Sequence, residues 1–186
     1  MRLTLPTILT LFRIALLPVM VIVFYAPFHG ANIAASAIFV AAALTDWLDG
    51  WIARRYGLTS AFGEFLDPVA DKLMVAVTLF LLVQDNPTIP LAVISAIIVG
   101  REITISALRE WMAEIGERTR VRVAGIGKIK TIAQLLALIV LLYQKDLDGF
   151  GLFHVGEVLL GFAAALTIWS GVVYIRAAWP VLRAER

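Results

Sequence analysis

Six long apolar stretches dominate this chain and leave few folds open to it. Crossing the hydrocarbon core of a bilayer takes about 20 helical residues, and unpaired backbone polar groups are too costly in lipid for an open sheet. Of the 186 residues, 61% are hydrophobic and only 16% are charged, which is wrong for a soluble domain. We therefore predict an all-α polytopic membrane protein with a single domain over residues 1–186 and six transmembrane helices, near 7–28, 33–52, 66–84, 88–109, 130–145 and 152–176.

Basic residues are distributed unevenly between the loops that join these stretches. They gather at both chain ends, after the second stretch at Arg54 and Arg55, and around the loop after the fourth, whereas the other three loops contain only Lys145. Cytoplasmic loops carry an excess of Lys and Arg. We therefore expect both termini and the basic loops to be cytoplasmic. The net charge of only +2 gives no support to a nucleic-acid partner, and the lack of cysteine excludes disulfides and thiol chemistry.

The segment from Asp46 to Asp71 is the most informative part of the sequence. Asp46 and Asp49 are three residues apart at the end of the second stretch, and Asp67 and Asp71 are four apart at the start of the third. Each pair therefore shares one helix face. Because a short loop joins the two stretches, we expect their helices to lie antiparallel, side by side, so that four carboxylates converge at the cytoplasmic edge of the membrane.

Four converging carboxylates repel one another and need positive charge nearby. Hard divalent cations with oxygen ligands, Mg²⁺ or Mn²⁺, fit such a set. The two histidines, His29 and His154, fall in the opposite loops, which disfavours zinc. The alternative is a solvated network in which the acids pair with Arg54, Arg55 and Lys72. That interpretation would suit a single Asp, whereas four at paired helical spacings favour a metal site.

The spacing of these residues resembles the signature of the CDP-alcohol phosphotransferase family. The match covers every fixed position: Asp46-x₂-Asp49-Gly50-x₂-Ala53-Arg54-x₈-Gly63-x₃-Asp67-x₃-Asp71. The resemblance implies two divalent ions held by the four Asp residues, with Asp71 also acting as base on the acceptor alcohol. It further implies a homodimer with a polar cavity facing the cytoplasm, and a CDP-diacylglycerol site lined by Gly50, Ala53, Arg54 and Gly63.

Basic residues in the fourth and fifth stretches bear on the acceptor. Arg101, with Glu102 or the Asp cluster as its partner, lies in the inner half of the fourth stretch, and Arg109 follows two turns later. A charged side chain within a membrane span is costly, so an Arg there is a candidate functional residue. Lys128 and Lys130 lie at the entry of the fifth stretch, where lysines also bind anionic lipid or set topology. Together these four cations would suit a phosphorylated acceptor better than serine, choline or ethanolamine.

Further segments resemble the bacterial branch of the family that uses glycerol 3-phosphate, namely Leu66–Lys72 and Arg101–Gly116. The expected reaction moves the phosphatidyl group of CDP-diacylglycerol to glycerol 3-phosphate in the bacterial inner membrane, with CMP released. Inositol phosphate is the nearest rival acceptor. Residues Leu5–Arg13 resemble the short amphipathic entry segment of the family, in which Arg13 either serves the site or extends to lipid headgroups.

Two readings from other classes stay open at the level of sequence. A divalent-cation transporter would use the Asp cluster as its ion site, but such sites often lie near the bilayer midplane between discontinuous helices. Here the acids fall at a predicted membrane edge, and no inverted repeat is evident. A structural scaffold would leave the carboxylate cluster unexplained. Release of CMP distinguishes the enzyme from both.

Overall fold

The computed structural model describes residues 4–58, 60–116, 126–143 and 151–184. Within them the chain is helical, and each predicted stretch corresponds to one helix, which confirms the all-α prediction. The helices are α1 (Leu5–Phe24), α2 (Ala31–Tyr56), α3 (Ala61–Asp85), α4 (Ile89–Glu114), α5 (Ile126–Tyr143) and α6 (Leu152–Ala184).

Four helices in the described part of the chain are long and apolar enough to cross a membrane: α1, α2, α4 and the Leu152–Pro180 part of α6. This confirms a membrane protein, whereas six spans remain a prediction. α5 contributes a shorter apolar helix, Ile129–Tyr143. α3 is long enough, but Asp71 and Lys72 fall in every stretch of it that could span, together with Asp67 or Asp85. The acids of the predicted site therefore lower the hydropathy of the helix that carries them.

A short connection brings the end of α2 and the start of α3 to the same end of the molecule. α2 ends at Gly57, which has φ 64°, a left-handed conformation that glycine adopts without steric cost. Ser60 then caps α3, because its Oγ accepts a hydrogen bond from the Gly63 amide at 3.0 Å. Both predicted Asp pairs consequently lie beside this connection.

The position of α1 differs from expectation. α1 packs against both α2 and α3, which share few contacts with each other across the described residues. The prediction that α2 and α3 lie side by side is therefore wrong, because α1 lies between them. Residues Leu5–Arg13, which resemble the amphipathic entry segment of the family, form the first turns of α1.

The apolar core lies where the six helices meet. It includes the fully buried Met20 of α1, Phe39 of α2, Leu79 of α3 and Leu138 of α5. Large apolar side chains also cover the outside of the molecule, as is expected of a surface in contact with lipid. The core thus holds α5 against α2 and α3, while α6 packs against α4 and α5. A cavity is lined by residues of α3, α4, α5 and α6.

Candidate active site

Three of the four predicted carboxylates meet at one guanidinium. Arg13 Nη1 lies 2.8 Å from Asp46 Oδ1 and 2.6 Å from Asp71 Oδ1, and Nη2 forms an ion pair with Asp49 Oδ2. Arg13 is fully buried and Asp49 nearly so, whereas the side chains of Asp46 and Asp71 are about half exposed. The predicted convergence of these three acids is therefore present. We call Asp46, Asp49, Asp67 and Asp71 the acidic cluster.

Asp67, the fourth member of the acidic cluster, is also held by α1. The Thr10 hydroxyl donates a hydrogen bond to Asp67 Oδ1 at 2.5 Å. One turn earlier on α1, the Thr7 hydroxyl lies 2.8 Å from Ser60 Oγ. Every acid of the cluster thus contacts a residue of α1. The sequence left the role of Arg13 open, and it did not identify Thr10 as a partner of the acids. The available signal was the helical spacing of Thr7, Thr10 and Arg13 within an otherwise apolar stretch.

The acidic cluster has the chemistry of a divalent-cation site. Carboxylate oxygens are the ligands that Mg²⁺ and Mn²⁺ prefer. Where the structure describes the chain, no three acidic or imidazole side chains are arranged to hold a metal ion. Arg13 instead places a positive group among the carboxylates, which shows that this position stabilises positive charge. The donor set therefore fits divalent ions, while its present arrangement is organised around a guanidinium.

The four residues expected to line the CDP site lie close to the acidic cluster. The exposed Arg54 folds back along α2, so that a Cβ on Gly50 would lie 3.2 Å from Arg54 Nη1. Ala53 is half-buried in the same last turn. Gly63 faces α1, since a Cβ there would lie 2.9 Å from Thr7 Oγ1. Gly50 thus accommodates Arg54, Gly63 permits close packing of α1 on α3, and their part in nucleotide binding stays a prediction.

A cavity of about 740 Å³ lies between α3, α4, α5 and α6. Asp71 lines it from α3, and three of the four predicted acceptor-binding residues line it from α4 and α5: Arg101, Arg109 and Lys130. We call these three the basic cluster. The side chain of Lys128, the fourth predicted residue, lies outside the described residues. One member of the acidic cluster and the whole basic cluster therefore share one cavity.

A single carboxylate links two members of the basic cluster. Glu102 Oε1 accepts a hydrogen bond from Arg101 Nη1 at 3.2 Å and forms an ion pair with Lys130 Nζ. Arg101 Nη2 also donates to Ser170 Oγ of α6 at 2.8 Å. Glu102 was one of the two partners expected for Arg101, and it is the one observed. Lys130 is buried against Glu102 rather than exposed to headgroups, and Ser170 was not anticipated.

Comparison with known proteins places this arrangement in a family. Residues 3–169 match the family model described as CDP-alcohol phosphatidyltransferase. The chain belongs to that family. The matched region contains the acidic cluster, the basic cluster and most of the cavity lining. Membership of the CDP-alcohol phosphatidyltransferase family confirms the resemblance inferred from the spacing of the eight signature residues.

Curated bacterial relatives extend the similarity over nearly the whole chain. A protein from Pseudomonas fluorescens is 48% identical across 97% of this chain and 92% of its own length. One from Pectobacterium atrosepticum is 50% identical, with 96% of each chain covered, and one from Yersinia pestis is 49% identical, with 98% of each covered. All three are named CDP-diacylglycerol–glycerol-3-phosphate 3-phosphatidyltransferase.

Proposed function

We propose that this protein is the enzyme that transfers the phosphatidyl group from CDP-diacylglycerol to sn-glycerol 3-phosphate, giving phosphatidylglycerol phosphate and CMP. Family membership and the names of its relatives support this reaction. For this chain the observation that carries it is the shared cavity, lined by Asp71 and by the basic cluster. A carboxylate able to take a proton thus lies in the same space as cations able to bind the phosphate of an acceptor.

Asp71 is the proposed base. In the proposed reaction the 1-hydroxyl oxygen of glycerol 3-phosphate attacks the β-phosphorus of CDP-diacylglycerol, while the bond from that phosphorus to the CMP oxygen breaks. CMP leaves with the electrons of that bond, and the hydroxyl proton passes to the Asp71 carboxylate. Proton transfer to a positioned side chain contributes about 10²–10⁴-fold to a rate. The side chain is about half exposed in the cavity, so a substrate hydroxyl can reach it.

The acidic cluster is the proposed site for two divalent ions, Mg²⁺ or Mn²⁺. Support comes from its oxygen donors, and the family resemblance implies the same ions. Such ions, when bound, would stabilise negative charge on the entering hydroxyl oxygen of the acceptor and on the leaving oxygen of CMP. Arg54 lies at the end of α2 and can donate to a phosphate of the nucleotide, and the lack of a side chain at Gly50 leaves room for it. Ala53 and Gly63 complete the proposed nucleotide site.

The basic cluster is the proposed site for the phosphate of the acceptor. Glu102 and Ser170 hold Arg101 in one orientation, which lowers the entropy lost when a phosphate binds. Lys130 is held by the same Glu102, and Arg109 lies further along the cavity wall. Lys128 is included from its position two residues before Lys130. A dianionic phosphate group matches this set better than the single carboxylate of serine or the cationic group of choline.

The proposed membrane arrangement has six spans, with both termini and the cavity facing the cytoplasm of a bacterial inner membrane, and two copies forming a homodimer. The uneven distribution of Lys and Arg supports this orientation. The chain has no cysteine, so single cysteines can report sidedness. Cysteines at positions 57 and 119 should resist an impermeant reagent added outside intact cells, and cysteines at 29 and 86 should react. Reaction at position 57 would reverse the orientation.

Turnover of the purified protein tests the proposed function. CMP release is measured with CDP-diacylglycerol and a panel of glycerol 3-phosphate, inositol phosphate, serine and no acceptor. We expect release only with glycerol 3-phosphate, loss of release in EDTA, and recovery with Mg²⁺ or Mn²⁺. Preference for inositol phosphate would correct the acceptor, and full turnover in EDTA would exclude the metal site. Lack of CMP release with every acceptor would contradict a transferase.

A further inference from the structure

Arg13 occupies an unusual position for a charged side chain. It lies in the first half of an apolar helix and is fully buried, and a buried charge is costly unless it is paired. Its partners are three carboxylates from two other helices, Asp46 and Asp49 of α2 and Asp71 of α3. Since α2 and α3 share few contacts of their own among the described residues, Arg13 is the group that joins these acids.

The contacts of Arg13 are incomplete. Nη1 serves two carboxylates and Nη2 serves a third, whereas the buried Nε has no hydrogen-bond partner among the described residues. A guanidinium offers five N–H donors, so part of its hydrogen-bonding capacity is lost on burial. One positive charge also cannot neutralise four acids. The arrangement therefore satisfies the acids only in part and leaves Arg13 partly unsatisfied.

We propose that Arg13 is a built-in counter-cation that holds Asp46, Asp49 and Asp71 of the acidic cluster together without metal and competes with the metal for the same carboxylate oxygens. One observation and one electrostatic argument support competition. Oxygens of these three acids contact Arg13, and among the described residues no three acids are arranged to hold an ion. A cation brought to the same oxygens would be repelled by the guanidinium. Arg13 is then a positioning residue that sets metal affinity. This inference rests on the proposed metal site.

Metal binding to Arg13→Gln tests the competition directly. The protein is purified in detergent, stripped with EDTA and titrated with Mn²⁺, and free Mn²⁺ is measured by electron paramagnetic resonance. We expect Arg13→Gln to bind Mn²⁺ about 10-fold more tightly than the unsubstituted protein, because one charge-assisted contact no longer competes. Without metal it should unfold at a lower temperature, and added Mn²⁺ should restore more of that loss than it adds to the unsubstituted protein. Arg55→Gln, which removes an exposed charge at the end of α2, should change neither quantity.

Arg13→Lys guards against failure of the first variant to fold. It keeps the charge but not the planar fork, and one ammonium cannot reach three carboxylates as two nitrogens of a guanidinium do. Its Mn²⁺ affinity should fall between those of the other two proteins. Mn²⁺ binding that is weaker or unchanged in either Arg13 variant would overturn the proposal. That failure is distinct from failure of the proposed function, which would appear as no CMP release from a protein that binds Mn²⁺ normally.

Discussion

The acidic cluster, through Asp71, and the basic cluster share one cavity, yet their charges are balanced in different ways. Three carboxylates of the acidic cluster contact the single positive charge of Arg13, and Asp67 accepts a hydrogen bond from the Thr10 hydroxyl. In the basic cluster, Arg101 and Lys130 share the carboxylate of Glu102. The first cluster therefore keeps a surplus of negative charge, whereas the second, with Arg109 and only one carboxylate among its described ion pairs, keeps a surplus of positive charge.

This difference indicates a division of labour between the two clusters. A surplus of negative charge stabilises bound cations, and these act on the atoms that react. A surplus of positive charge, with Arg101 held in place by Glu102 and Ser170, can bind a phosphate that does not react. Changes in the acidic cluster should therefore lower kcat, and changes in the basic cluster should raise the KM for the acceptor. Kinetics of single variants can confirm or reject this division.

Asp71→Asn should have the largest effect, because Asp71 is both the proposed base and a proposed metal ligand. We expect kcat to fall by about 10²–10⁴-fold with little change in the KM for glycerol 3-phosphate. Steady-state CMP release measures both constants. Glu64→Gln, an exposed acid in the first turn of the same helix, is the matched control and should keep normal kcat. A kcat within tenfold of normal for Asp71→Asn would show that Asp71 is not the base.

Arg101→Gln should change the KM for glycerol 3-phosphate rather than kcat. A charge-assisted contact to phosphate contributes roughly 1.5–3 kcal/mol, so the KM for glycerol 3-phosphate should rise about 10- to 150-fold at about 1.4 kcal/mol per decade, with kcat nearly kept. Arg55→Gln removes an exposed charge and serves as the control in the same assay. A normal acceptor KM in Arg101→Gln, combined with altered membrane orientation, would reduce this residue to a topology signal.

Arg54→Gln should affect the donor substrate, and more weakly. Arg54 is exposed, so water competes for its contacts, and the contribution falls towards the roughly 0.5–1.5 kcal/mol of an ordinary hydrogen bond. The KM for CDP-diacylglycerol should rise about 2- to 12-fold, while the KM for glycerol 3-phosphate stays unchanged. Arg54→Lys, which keeps the charge but loses bidentate geometry, should lie between. A rise in the acceptor KM instead would mean that donor and acceptor are not recognised at separate places.

The sequence predicted the members of each cluster better than it predicted their partners, for a physical reason. Helical periodicity places Asp46 with Asp49 and Asp67 with Asp71, because those pairs depend only on local geometry. Nothing in that periodicity states which helices become neighbours. The insertion of α1, and with it the contacts of Arg13, depends on packing between segments far apart in the chain.

The same limit applies to the basic cluster. Glu102 could be anticipated as the partner of Arg101 because the two are adjacent in the sequence. Ser170 lies 69 residues away from Arg101 in the sequence, within a stretch of apolar residues. No local pattern therefore identified it as a partner of Arg101. The stretch of α6 around Ser170 reads simply as a membrane span. Long-range partners of buried charges were thus the part that only the structure supplied.

Gly63→Ala tests whether the acidic cluster depends on the close approach of α1, and its effect should be the smallest on activity. The added Cβ would lie 2.9 Å from Thr7 Oγ1 and 3.0 Å from Ser60 Oγ, two atoms that hydrogen-bond each other. Such overpacking costs about 1–3 kcal/mol, so the free energy of unfolding in detergent should fall by that amount. Gly100→Ala, where no atom lies within 4 Å of the added Cβ, is the control and should be neutral or stabilising.

A second substitution separates packing from nucleotide binding at Gly63. If the loss of stability comes from the clash, Thr7→Ala removes one of the two crowded oxygens, and the double variant should recover part of what Gly63→Ala loses. Gly63→Ala that unfolds normally but has a raised KM for CDP-diacylglycerol would give the opposite answer. Gly63 would then line the nucleotide site, as the family resemblance implies, and the contact between α1 and α3 would tolerate a methyl group. The acidic cluster would in that case owe its geometry to Arg13 and Thr10 rather than to the tight packing at Thr7.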